Sequence, residues 1–326
     1  MSAADLQNPA FTDDNKAREA LEAIRWPDGP FCPHCGNSNQ EKIAKGEGKA
    51  HRPGLYYCAE CNGQFTVTVG TVMERSKIPL SKWLLAMHLM GASKKGVSAL
   101  QLQRMLGVTY KTAWFLCHRI REAMVPAKRD PIGGFNKVVE SDETVIGGKK
   151  KNRAFAKKEP KKHSVLTLVD RDGDSHSFHV ANVKAKTLRE AMVRVVDRKS
   201  HLMTDELTSY QPIGREFAGH TTVNHSADEY VRLGGFAHVN TAEARFSLMK
   251  RAVFGTHHSI SEAHLARYLA EWDFKWNTRK TTDGERAALI AKGIGAKRLT
   301  YRPTHRGQNQ ETSCKSVSSL AQKAGD

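Results

Sequence analysis

The chain has 326 residues, enough for about two compact domains, and carries 51 Lys+Arg against 34 Asp+Glu, a formal charge of +17. Such an excess points to a polyanionic partner, nucleic acid before membrane, because apolar stretches such as Trp83 to Met90 fall well short of the roughly 20 residues a membrane span needs. Met1 to Asp14 lacks the basic-then-apolar layout of a secretory signal, so a soluble intracellular protein is expected.

In chain order, the first 25 residues hold a helical pattern with Ala20, Leu21 and Ile24 on one face. Two cysteine knuckles follow, CPHCG at 32–36 and YYCAECNGQF at 56–65, and then Phe65 to Val72 alternates as a strand would. Pro79-Leu80 opens a helix with Leu80, Trp83, Leu84 and Met87 at helical spacing. A second helix starts at Ser98, with Gln101 three residues later as in a capping box, and runs to Leu106, where Gly107 ends it. Thr109 caps a third, Tyr110 to Met124. Helix, glycine turn, helix is the helix-turn-helix pattern, and its last helix offers Lys111, Arg119 and Arg121 to DNA; two ordinary core helices would read the same way.

From residue 137 the period changes. Lys137 to Ser141 is a β-type run ending in Asp142, and Ser164 to Asp170 and Ser175 to Ala181 read as strands joined at Asp172-Gly173. Thr187 to Val196 is an amphipathic helix, Leu202 to Thr204 a short apolar segment entering Asp205, and Thr241 and Ser261 cap helices reaching Val253 and about Trp276. That order predicts a mixed α/β sheet with helices on its faces. After about Lys297 the composition turns to Gly, Ser, Gln and Lys, and disorder is expected. The chain therefore divides into a helix and ribbon (1–75), a helix-turn-helix segment (76–130), an α/β domain (131–297) and a basic tail (298–326).

Four of the six cysteines form two C-x2-C knuckles separated by 22 residues, a spacing that supplies the four soft ligands of tetrahedral zinc. Cys32, Cys35, Cys58 and Cys61 would close the site, making zinc structural, and Gly36 and Asn62-Gly63 supply the tight turns that aim backbone amides at metal-bound sulfur. Lys42, Lys45, Lys49 and Arg52 between the knuckles are placed to grip DNA.

Three acids stand out by position: Asp142 and Asp205 at strand ends, and Glu243 in the first turn of a helix. Carboxylates gathered there repel one another until divalent cations bind between them, and two such ions suit in-line attack on a phosphodiester. Lys250 lies seven residues after Glu243, two turns along the same face, where it could hold a phosphate. Glu140 and Glu206 compete for these places; on an ideal strand Glu140 and Asp142 share a face while Glu143 points away.

Several of these runs resemble insertion-sequence transposases of the ISXO-like group. ESDETVIGGK at 140–149 looks like that family's first catalytic strand, and TVNHSADEY at 222–230 with HVNTAEARFSLMKRAVFGTHHSIS at 238–261 like its third motif. HLARYLAEWDFKWNTR at 264–279 and GAKRLTYR at 295–302 look like its closing helix and tail, and both knuckles fit its N-terminal region. The resemblance covers roughly residues 15 to 302. It implies a ribonuclease-H-like fold behind a zinc ribbon, with Asp142, Asp205 and Glu243 holding Mg²⁺ or Mn²⁺. It also implies binding of double-stranded DNA at terminal inverted repeats, cleavage and strand transfer into target DNA, and a homo-oligomer at work in the prokaryotic cytoplasm, at the nucleoid. The chain departs from the family where a bulky EGFWS-like run is usual: it reads Glu243-Ala244-Arg245-Phe246-Ser247, with Phe246 at the Trp position. Some relatives use a residue other than Glu at the third position, which brings in Asn240.

Lys149 to Lys162 holds eight basic residues and one acid, so Lys149, Lys150, Lys151 and Arg153 are expected DNA contacts, as is Arg251 beside Lys250. His238, His257 and His258 are assigned to phosphate or backbone contacts, and Trp272 and Trp276 to core packing. Tyr110 and Ser141 lack the arginine and histidine constellation of a covalent recombinase, and that route is rejected.

Overall fold

The computed structural model describes residues 7–48, 51–148, 161–223 and 236–300. The chain forms two units, one of Met1–Ala127 with Lys280–Arg306 and one containing Lys128–Arg279. None of the described helices is long and apolar enough to cross a membrane.

The N-terminal unit opens with helix α1 (Asp14–Arg25), capped by Asp13, which accepts from the Asn15 and Lys16 backbone N–H groups. Its buried face is Ala17 and Leu21; of the expected Ala20, Leu21 and Ile24, Leu21 is buried and the other two are half-buried. Three short strands follow, β1 (Ile43–Lys45), β2 (Tyr56–Cys58) and β3 (Gly63–Phe65), paired antiparallel in that order. Trp26, directly after α1, packs edge-on against Phe31, Tyr56 and Phe65, so one aromatic cluster joins helix to ribbon. The strand expected over Phe65 to Val72 ends at Phe65, and turns follow: Thr71 bonds back to Thr68 and Gly70 takes positive φ, both incompatible with an extended run.

Helices α2 (Leu80–Ala92), α3 (Ala99–Leu106) and α4 (Tyr110–Met124) match the expected segments. The Ser98 side chain accepts from the Gln101 N–H, Gly107 closes α3 in the left-handed region at φ 61°, and the Thr109 side chain accepts from the Thr112 N–H.

The central unit holds a five-stranded sheet in the order β6-β5-β4-β7-β8, built from β4 (Val138–Gly147), β5 (Lys162–Asp170), β6 (Ser175–Val180), β7 (His201–Asp205) and β8 (Gly219–Val223). The first three are antiparallel in succession; β7 runs parallel to β4, and β8 parallel to β7. This is the ribonuclease-H-like order. A turn at residues 171–174 joins β5 to β6, and the crossover from β6 to β7 runs through helix α5 (Ala185–Val195). A short helix α6 (Gln211–Gly214) lies between β7 and β8.

Alternation along β4 and β5 sends side chains to two cores. On one face Val139, Leu166, Leu168 and Leu202 meet Leu188, Met192 and Val195 of α5. On the other, Ile146 and Val165 meet Phe246 and Met249 of α7 (Asn240–Ala252) and Leu265, Leu269 and Trp272 of α8 (Glu262–Asn277). A π-helical turn, Val253–His257, links α7 toward α8.

The chain then returns to the N-terminal unit. Helix α9 (Asp283–Lys292), with a full capping box between Thr282 and Glu285, packs on α2, where Gly91 lets Ile290 approach and Arg286 donates to the Gly91 carbonyl. A division at 297 therefore does not match the contacts, which divide the chain after Arg279. Periodicity along α9 reports an amphipathic helix and carries no information about which unit receives its apolar face.

Candidate functional site

The two parallel strands β4 and β7 end their pairing at Ser141↔Thr204, and Asp142 and Asp205 each follow by one residue. Neighbouring parallel strands in register point equivalent residues the same way, so the two carboxylates stand side by side. Glu143 joins them: one oxygen from each of Asp142, Glu143 and Asp205 lies within 4.8 Å of the others. Strand alternation puts Glu143 on the opposite face from Asp142. The pairing with β7 stops at Ser141 while β5 stays paired alongside, so only the β7 side of β4 is open at that level, and side chains from both faces reach that opening.

Burial raises the Glu143 carboxyl to about 7; Asp205 and Asp142 push the same way, and a hydrogen bond from Tyr210 opposes them. The Tyr210 hydroxyl, fully buried, donates to Glu143 and accepts from Ser141 at 3.1 Å. Ser141 is thus a buried link in this chain of hydrogen bonds. Asp142 accepts from the Glu143 N–H at 2.7 Å and Asp205 from the Leu207 N–H at 3.1 Å, which fixes both side chains where the pairing of β4 with β7 ends.

Glu140, a sequence-level competitor, has a different place. It is wholly buried, accepts from Arg171 Nε at 2.7 Å, and receives the Thr241 and Ala242 backbone N–H groups at 2.9 and 3.0 Å. It caps α7 from a strand 101 residues away in sequence. Thr241, expected as the cap, sits inside the first turn and gives its hydroxyl to Glu140 as well. Glu206 is exposed. Glu243 and Lys250 are exposed on α7, and Glu243 lies outside the close group of three carboxylates; Asn240 is exposed at the first position of α7.

The departure from EGFWS has a structural partner. Arg245 is buried and donates to Asp273 of α8 at 2.8 Å, with the Trp276 ring near its guanidinium; Asp273 also receives the Ser177 N–H and hydroxyl. Phe246 is buried in the α7–α8 core, a packing residue. Trp272 is buried there as expected, and His257 stacks edge-on with Tyr268. His238 lies 3.3 Å from Glu140 and accepts the Asn240 N–H.

Of the residues expected to touch DNA, Lys111 is exposed at the start of α4 and Arg251 on α7. Arg119 and Arg121 are buried, which corrects their assignment: Arg119 spends its guanidinium on the carbonyls of Glu74 and Leu299 and holds its own unit together. On α4 the helix turns these two inward, a result that counting basic residues does not anticipate. Lys149, Lys150, Lys151 and Arg153 lie outside the described residues, as does the tail after 300.

In the ribbon, the sulfurs of Cys32, Cys35, Cys58 and Cys61 come within 4.8 Å of one another, with Cys32–Cys61 at 3.6 Å and Cys35–Cys58 at 3.7 Å. Four sulfurs about 2.3 Å from a tetrahedral zinc stand about 3.8 Å apart, so the spacing fits zinc and is far too long for disulfides. Gly36 (φ 78°) and Asn62 (φ 53°) make the turns. Burial alone would raise the Cys58 thiol, yet backbone N–H groups of Cys61 and Glu60 and the Asn37 amide hold it near 6.

Sheet order, paired aspartates and a four-cysteine ribbon together define the class: a zinc-ribbon protein with a ribonuclease-H-like domain. Residues 133–277 match the ISXO2-like transposase domain and residues 12–64 the transposase zinc-ribbon domain, so the chain carries both domains of that transposase family. It is also 28% identical over 283 residues, covering 81% of this chain and 91% of the relative, to an uncharacterized protein in transposable element ISH50 of Halobacterium salinarum.

Proposed function

We propose that this chain binds the terminal inverted repeats of a mobile DNA element, cuts phosphodiester bonds at its ends and joins the freed ends to target DNA, as a homo-oligomer acting on chromosomal DNA in the cytoplasm. The observation that carries the reading is the alignment of Asp142 and Asp205, each one residue past the last paired position of adjacent parallel strands, in a domain of this family. Three carboxylates in one opening offer the oxygen ligands that hard divalent cations prefer. Magnesium or manganese held there supplies charge neutralisation and activation of an attacking hydroxyl.

Asp142 and Asp205 hold the metal in this reading, and Glu143 adds a third oxygen donor not anticipated from sequence. Glu243 and Lys250 complete the site from α7. Residues two apart on a helix lie on nearly opposite flanks, about 160° from each other. Arg245 turns to Asp273 on α8, so Glu243 and, two turns on, Lys250 share the flank turned away from α8. That flank suits a carboxylate for the metal and an ammonium for a phosphate. Exposed Lys111 at the start of α4, with Lys94 and Lys95 exposed before α3, supports helix-turn-helix contact with duplex DNA.

The test is cleavage and joining of an end-containing duplex in Mg²⁺ by wild type and Asp205→Asn, with pre-cleaved ends in parallel. Metal-dependent products lost in the variant support the assignment. Cleavage without joining reduces the reading to a nuclease. A wild-type protein that binds the ends but neither cuts nor joins with any divalent metal overturns it in favour of a DNA-binding regulator.

A further inference from the structure

Outside the ribbon and the carboxylates of β4 and β7, one more group of side chains able to bind a metal converges in the described residues: His163 on β5, His179 on β6 and Glu262 at the start of α8, each offering one ligand atom within 4.8 Å of the others. We propose that these three residues form a separate binding site for a zinc-class transition-metal dication, with one coordination position left to water.

The backbone builds the histidine pair. Val165 and His179 are register partners, and His163 lies two residues before Val165, so both imidazoles rise from the same sheet face as diagonal neighbours. Their rings stand 5.5 Å apart, edge to face at 75°. Strands hold both donors firmly, and Glu262 enters from the first turn of the helix packed on β6. His163 is buried, His179 half-buried and Glu262 exposed, so the site has a solvent side. Among the described residues, the side chains of His163, His179 and Glu262 make no hydrogen bonds, and their lone pairs remain available to an ion.

The donor set chooses the metal. Two imidazoles and a carboxylate suit borderline dications such as zinc or cobalt, whereas magnesium favours all-oxygen surroundings. Three protein ligands leave a fourth position open, unlike the closed ribbon. The site is also remote from the carboxylates. His163 pairs with Ile146, four residues beyond Asp142, about 13 Å along the strand. A bound ion would tie the start of α8 to the sheet just past the π-helical turn at Val253–His257, fixing the corner between α7 and α8.

The experiment uses the full chain, stripped with chelator, reloaded with zinc in excess Mg²⁺ to saturate the hard carboxylate site, desalted and assayed for zinc per chain. Wild type is expected to retain two equivalents. His179→Gln and Glu262→Gln, each checked by circular dichroism, are expected to retain only the ribbon equivalent. Cobalt reloading separates the two sites: the ribbon gives intense thiolate charge-transfer absorption, and the second equivalent adds only weaker bands without it. Glu262 is exposed, so its variant keeps the test sound if His179→Gln does not fold. A single zinc in wild type, or a second equivalent retained by folded Glu262→Gln, overturns the proposal.

Discussion

Glu140 receives both the backbone N–H of Thr241, at 2.9 Å, and its hydroxyl, at 3.0 Å, so a strand residue serves as the cap of α7. The same carboxylate is paired with Arg171, whose other nitrogens donate to the carbonyls of Phe236 and His238. One buried acid thus sets where α7 begins and with it the position of Glu243. Glu140→Ala strands Arg171 and the helix N–H groups and is expected to cost about 3–5 kcal/mol in chemical denaturation. Glu140→Gln keeps half of the acceptors and should cost less. A stability equal to wild type in the alanine variant would show that the anchor is dispensable.

Asp205→Asn should behave oppositely. It removes one of three crowded negative charges, so metal-free protein is expected to melt at or above the wild-type temperature. The stabilisation that Mg²⁺ confers on wild type should disappear. With Asp205 as a metal ligand, as proposed, its loss is expected to raise the barrier to cleavage by about 3 kcal/mol or more, a rate deficit of about a hundredfold or more. Thermal melts with and without Mg²⁺ and a single-turnover cleavage assay measure both parts.

The pH dependence follows from Glu143. Its carboxyl is raised from the ordinary 4.5 to about 7, so the folded state holds this proton more tightly than the unfolded state. The resulting stability is fully present below about 4.5 and is lost as pH rises through about 7, about 3 kcal/mol in all for metal-free protein. Glu143→Gln mimics the protonated form, so the variant should gain on wild type across that interval. Denaturation of both proteins at several pH values tests it; parallel curves would place the carboxyl at its ordinary value.

Two basic residues on α4 should separate by phenotype. Lys111→Ala is expected to weaken DNA binding uniformly across sequences and lower the salt slope by about one, with little change in stability. Arg119→Ala leaves the Glu74 and Leu299 carbonyls without their donor and should lower the melting temperature of the N-terminal unit. Affinity measured over a salt series, beside thermal melts, distinguishes them.

Much of this arrangement was legible in the sequence wherever the signal is local. Ser98, Gly107 and Thr109 mark helix ends because caps act within a few residues, and the cysteine knuckles announce their metal by spacing. Asp205 was readable as a strand end, whereas Asp142, expected at one, lies inside β4, which runs on to Gly147 beside β5. The unread parts depend on distant partners. Glu140 looks like any strand acid until α7 arrives to receive it. Strand β8, Gly-His-Thr-Thr-Val, has no apolar alternation because it is a half-buried edge strand. Glu143 required knowing where β7 stops. The role of Arg245 required Asp273, 28 residues away on another helix.

The packing of α9 on α2 has a consequence for how the protein is made. The unit that begins at the N-terminus needs a helix encoded after residue 280, so the central unit is, topologically, an insertion within it. During synthesis the ribosome must translate the whole sheet domain before that helix can dock and close the first unit. A prematurely terminated chain therefore lacks part of the ribbon-bearing unit's own core.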